Sequence, residues 1–205
     1  MCALFSVLMT PTGANELSID AALKTFQQAA SGDKAAVGQG IEQYKALLRL
    51  QPTQVMYKAR LGSLTTMLAR DAWAPWKKMS YTEQGLEYID IALDGLTAKH
   101  QQQQIGGLNV AIDVRYTAVV TFSNLPDFFH RWGHAERLLA QITEEANFTE
   151  SPGGFQAEVW LLRARLAQKR DRISEYQRYL KKVLAVDADS AAGKQAQYLL
   201  AEASK

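Results

Sequence analysis

One pattern returns four times along this chain: a mostly small residue, an apolar residue four positions on, and a second apolar residue three beyond that. The instances are Gly40/Tyr44/Leu47, Gly85/Ile89/Ala92, Ala135/Leu139/Ile142 and Tyr176/Leu180/Val183. Steps of four and three place all three side chains on one stripe of an α-helix. The pattern recurs roughly every 40–50 residues, a period that signals stacked helical hairpins. One such hairpin cannot bury its apolar stripe alone and must pack on its neighbours. The chain is therefore constrained to an array with an extended surface rather than a closed pocket.

Composition agrees. Ala, Leu, Gln, Lys and Glu dominate the 205 residues and only five prolines interrupt them, which favours helix. With 47% hydrophobic and 21% charged residues the chain has the balance of a folded globular protein. A net charge of +2 gives no argument for nucleic acid, and no nucleic-acid partner is expected. Cys2 is the only cysteine, so a disulfide framework is excluded. No apolar run approaches the ~20 residues of a membrane span.

The first fourteen residues stand apart. Ala3 to Met9 is a short apolar stretch, Pro11 breaks it, and Thr12-Gly13-Ala14 offers small residues as a cleavage site would. This matches the back half of a secretory signal peptide, with an apolar core of ~7–15 residues, although no Lys or Arg precedes it. Two expectations follow: an exported, periplasmic protein beginning near Asn15, or an apolar N-terminal segment on a cytoplasmic one.

Helix-start signals fall at matching intervals. Asp33 is positioned as an N-cap, Ser80-Tyr81-Thr82-Glu83 fits a capping box, Asn124-Leu125-Pro126-Asp127 offers a cap with a first-turn proline, and Asp171 precedes the run from Arg172. Taken from Asp33, Ser80, Asn124 and Asp171, successive starts lie 47, 44 and 47 residues apart. Second helices are expected at 34–50, 81–97, 127–146 and 173–186, and first helices at 17–30, 54–70, 107–122 and 155–169. A final helix from Ser190 to Ala203 has the polar outer face of a C-terminal cap. The fold class is thus all-α: four stacked antiparallel hairpins plus a capping helix, forming one α-α superhelical domain over 15–205.

These residues resemble tetratricopeptide repeats. Gly40, Tyr44 and Leu47 followed by Pro52 match that family's second helix, with Leu47 in place of its alanine. Gly85, Ile89 and Ala92 match without the proline. Leu61-Gly62 is similar to the Leu-Gly of a first helix, and Trp160 and Ala164 hold the spacing of the tryptophan and small residue there. The period exceeds the usual ~34 residues, and HEAT-like repeats also have longer periods. The resemblance implies a scaffold that holds peptides or proteins in a groove.

Three stretches are candidates for function. Asp71 to Ser80 reads as a long connector carrying Trp73, Trp76, Lys77 and Lys78, with Tyr81 just beyond. It is either a recognition loop, since Trp is enriched at binding hot spots, or a plug in which both tryptophans fold back over the core. Arg163 to Lys182 holds eight cations against Asp171 and Glu175, with Tyr176 and Tyr179 interleaved. It is either an acidic-partner site including Arg163, Arg170 and Tyr179, or a solvated helix face. His130 and His134, at i and i+4, would share one helix face, either as two ligands of a metal site or as packing groups beside Phe128, Phe129 and Trp132, which fill an inter-repeat seam.

No catalytic constellation is present: the lone thiol is at residue 2, and neither glycine pair continues into a phosphate loop. The expectation is a non-enzymatic scaffold for a peptide or partner protein, with no cofactor or metal. The alternatives are a structural component of a bacterial-type envelope assembly and a small-ligand or metal-binding helical protein.

Overall fold

The computed structural model describes residues 18–202, so the apolar stretch Ala3 to Met9 and Cys2 lie outside the described residues. Among the described residues nine α-helices follow one another: α1 (Ile19–Ala30), α2 (Lys34–Leu50), α3 (Val55–Asp71), α4 (Pro75–Asp94), α5 (Val110–Asn124), α6 (Trp132–Glu144), α7 (Gly153–Lys169), α8 (Ile173–Asp187) and α9 (Ala191–Glu202). The only strands among the described residues are β1 (Gln104–Ile105) and β2 (Leu108–Asn109), an antiparallel pair between α4 and α5. Gly106 and Gly107 join them at φ 62° and 81°, the positive pair that a tight hairpin turn requires.

Each odd-numbered helix up to α7 packs antiparallel against the next, giving four hairpins, and α9 closes the stack on α7 and α8. The first helices also pack on one another in sequence, α1 on α3, α3 on α5, α5 on α7 and α7 on α9. This makes one row of first helices with the second helices alongside. The burial of α3 and α5 follows from their central place in that row: Val55 to Thr65 is buried at all but one position, and α5 is buried on nearly every side. An all-round apolar helix has to sit inside the stack.

The recurrent pattern marks the buried stripe in all four second helices. Tyr44, Ile89, Leu139 and Leu180 are each almost fully enclosed, as are Leu47, Ala92, Ile142 and Val183 three residues later. Tyr44 packs edge-on to Phe26 of α1. Burial also pushes its phenol pKa well above the ordinary value. Close approach explains the small residues. Gly62 of α3 faces Gly85 of α4, so that a Cβ on Gly62 would stand 2.6 Å from the Gly85 carbonyl oxygen.

Local start signals were realised unevenly. Asp33 caps α2 through Oδ1, which accepts from the amides of Ala35 (2.9 Å) and Ala36 (3.3 Å). The Ser80 capping box does not form. α4 instead begins at Pro75, whose fixed φ suits a first helical turn and whose missing N–H costs nothing there. The connector expected over 71–80 shrinks to 72–74, and α4 ends at Asp94. Asn124 is not a cap but the last residue of α5, donating to the Val120 carbonyl. Residues 127–129 form a separate 3-10 turn ended by His130 at φ 55°. Asp171 also adopts a positive φ, 56°, and its side chain makes no cap bond to α8. The Asp33→Ala substitution is expected to cost ~1 kcal/mol, the usual loss of an N-cap. Ser80→Ala, on an exposed helix interior, should stay within ~0.5 kcal/mol. Chemical denaturation of the two variants checks both assignments.

α6 is delayed to Trp132 by contacts distant in sequence. Arg131 grips Asp90 of α4 through two bonds of 2.8 and 2.7 Å, and the Trp132 indole N–H donates to the Leu125 carbonyl at 2.9 Å. Together they fasten the 125–131 turn against α4. No helix among the described residues is long and apolar enough to cross a membrane.

Candidate functional site

The first-helix row leaves a groove of about 310 Å³ between α5, α7 and α9. Its floor is apolar: Val120 from α5, Leu161, Leu162 and Leu166 from α7, and Ala192 from α9. Polar groups stand along the rim. Tyr116 Oη donates to Glu158 Oε2 at 2.8 Å, Arg165 Nη2 donates to Gln195 Oε1 at 2.8 Å, and Lys169 Nζ reaches the Ser123 carbonyl. Burial, then the Glu158 carboxylate, raises the Tyr116 pKa, so this hydroxyl stays a donor across the neutral range. Positions 158, 162, 165, 166 and 169 fall on one stripe of α7, which is why a single helix supplies both floor and rim. An apolar floor with a few hydrogen-bonding groups at its margin is the usual form of a ligand-accepting cleft.

Arg165 and Lys169 belonged to the basic run read from the sequence, but Tyr116, Glu158 and Gln195 carried no signal of their own. They are 37 or more residues apart in the chain and meet only because α5, α7 and α9 lie side by side.

The expected partner-binding residues separate into two groups. At the α3–α4 turn, Trp73 is 90% exposed and Trp76 68% exposed, which overturns the core-plug alternative. Ala74, not a tryptophan, points inward at that turn. Lys77 and Lys78 are exposed in the first turns of α4, and Tyr81 is half-buried one turn further on. The second group lies on α7 and α8. Trp160 and Tyr179 stack at 5.9 Å; Arg163 lies over both rings, Lys182 over Trp160 and Arg178 over Tyr179. The basic run is therefore not a purely solvated face, because four of its cations cover aromatic surface, the fourth being Lys169 over the Trp132 ring. Arg170 sits apart, 3.5 Å from Glu136, which Arg172 also binds.

The two histidines do not share a helix face. His130 is exposed and outside α6, whereas His134 lies within α6, its ring 5.2 Å from that of Phe122. Burial first, and then the charge of Arg137, lowers the His134 pKa below its ordinary 6.5. Phe129 and Trp132 pack into the core between α5 and α6, but Phe128 is 61% exposed and does not fill that seam. Among the described residues no three His, Cys, Asp or Glu side chains converge as a metal site would need. No family model, curated protein or solved structure matches the chain.

Proposed function

We propose that this protein is a non-enzymatic scaffold of tetratricopeptide-like hairpins that holds a peptide or partner protein against its first-helix row. The observation that carries the reading is the α5–α7–α9 groove, with an apolar floor and the cationic rim of Arg165 and Lys169. An extended segment laid along it would bury apolar side chains on Val120, Leu162 and Leu166 while its carboxylates met the two cations. The Tyr116–Glu158 and Arg165–Gln195 bonds are single and exposed, so an incoming chain can replace them at small net cost.

A photo-crosslinking amino acid at position 165 of the full chain, compared with one at the exposed Lys45 of α2, tests this in the native host. A discrete protein adduct at 165 and none at 45 is expected, with Arg165→Glu/Lys169→Glu abolishing capture by a distal tag while leaving the helical circular dichroism intact. Identical adducts at both positions, or none at 165, would reject the groove as the binding site.

A further inference from the structure

We propose that the turn edge of the stack docks on an anionic lipid surface, with Trp73, Trp76, Phe128 and Ile173 entering the boundary between headgroups and acyl chains. The four hairpin turns lie along one edge because the chain reverses at each of them. Lys34 at the first turn is 3.7 Å from Asp71 at the second. Arg60 bonds to Asp113 and Ser63, midway along α3, accepts from Thr121 at 3.1 Å, so α3 and α5 run in the same direction and both lead to this edge. Lys169, just before the fourth turn, bonds to the Ser123 carbonyl beside the third.

Large apolar side chains protrude at three of these four turns. Trp73, Trp76, Phe128 and Ile173 are 90%, 68%, 61% and 55% exposed. Tryptophan is on average among the well-buried residues, so two bare indoles four chain positions or fewer apart call for an occupant. The form of this surface favours a bilayer over a protein. None of the four side chains lines the groove between α5, α7 and α9 or the clefts beside α4 and α6. Protein hot spots sit in well-packed pockets, whereas a fluid interface accepts separate projections, and indole is suited to the headgroup level.

Charge at the second of these turns has the matching sign. Lys77 and Lys78 adjoin the tryptophans and have no ion-pair partner among the described residues, while Asp71 is held between Arg70 and Lys34 and Asp33 is engaged as the α2 cap. Two free ammonium groups beside inserted indoles would meet lipid phosphates and give an attraction that salt weakens. The inference is independent of the groove, which lies on the first-helix row, so either can fail without the other.

The test uses the full chain with sedimented vesicles of phosphatidylcholine alone or mixed with phosphatidylglycerol. Binding to the anionic vesicles is expected, with a blue shift of tryptophan emission and quenching by brominated acyl chains. Trp73→Ala/Trp76→Ala should weaken binding at least tenfold and remove the brominated-lipid quenching. Lys77→Gln/Lys78→Gln should reduce binding at low salt and flatten its salt dependence. Leu50→Ala, an exposed apolar residue at the end of α2 away from these turns, serves as the control and should bind as the unmodified chain does. No sedimentation with anionic vesicles overturns the proposal. So does binding without acyl-chain quenching, or equal loss in the Leu50→Ala control. If vesicles are ignored but the tryptophan variant loses a protein partner, the edge is a protein surface and the lipid assignment is wrong.

Discussion

Replacing Arg60 by alanine is expected to destabilise the fold by about 3–5 kcal/mol, the range for breaking a buried ion pair by removing one member. Arg60 Nη2 lies 2.7 and 2.9 Å from the two carboxylate oxygens of Asp113, and both side chains are nearly enclosed. The guanidinium also lies 4.5 Å from the Phe26 ring centre. One pair thus joins α3 to α5 and rests on α1. Without Arg60, the Asp113 carboxylate is left in an apolar interior with no cation. Asp113→Ala should cost a similar amount for the mirror-image reason. The double substitution Arg60→Met/Asp113→Leu should recover most of the loss, because two apolar groups of similar bulk leave no buried charge. Urea unfolding followed by circular dichroism measures all three. A loss below ~1 kcal/mol for Arg60→Ala would mean that the site opens to water easily, contrary to the enclosure described above.

The second large effect is expected at the crossing of α3 and α4. Gly62→Ala should cost ~3 kcal/mol, the upper part of the range for overpacking. Its new Cβ would sit 2.6 Å from the Gly85 carbonyl oxygen and 2.7 Å from Ile89 Cγ1, and the first of these is backbone that cannot rotate away. The two helices must separate, which loosens the packing of Ile89 as well. Gly85→Ala meets Thr66 Cγ2 at 2.5 Å and the Gly62 carbonyl at 2.6 Å, so it should be about as damaging. Gly38 of α2 is the internal comparison: nothing lies within 4 Å of its added Cβ. Gly38→Ala should therefore stabilise by up to ~1 kcal/mol through helix propensity alone. Thermal and denaturant unfolding of the three variants would separate close approach from propensity. Equal behaviour of Gly38→Ala and Gly62→Ala would refute the close crossing.

These two sites differ in how far they could be read ahead of the structure. Gly85 was legible as the small residue of the recurring pattern and Gly62 through the tetratricopeptide resemblance, and close helix approach is the physical reason for small residues at such sites. That they face each other follows once α3 and α4 form a hairpin. Arg60 and Asp113 gave no comparable sign. They are 53 residues apart, each sits in a helix that looks locally ordinary, and nothing in either segment names the other. The groove has the same character. Arg165 and Lys169 stood out as cations, but their placement opposite Tyr116 and Gln195 depends on which helices lie side by side.

The errors at α4 and α6 have a local origin with a tertiary outcome. Ser80-Tyr81-Thr82-Glu83 is a sound capping box, but Pro75 offers an earlier start, and the turn before it needs only 72–74. Once α4 begins at Pro75, Trp76, Lys77 and Lys78 become helical and exposed, while Ala74 takes the inward place. At α6, the proline and acid at 126 and 127 open only a 3-10 turn, because Arg131 and Trp132 are tied to Asp90 and Leu125.

By itself the sequence determined that the chain is helical, where most helices run, and which stripe of each second helix is buried. Those properties follow from the period of the helix, which acts over four to seven residues and needs no knowledge of neighbours. Tertiary structure alone decided the Arg60–Asp113 pair, the late start of α6, the meeting of α5, α7 and α9 around a groove, and the outward placing of Trp73 and Trp76. Each of those depends on the relative position of segments that the chain brings together only after its hairpins have stacked, and no short-range pattern encodes that distance.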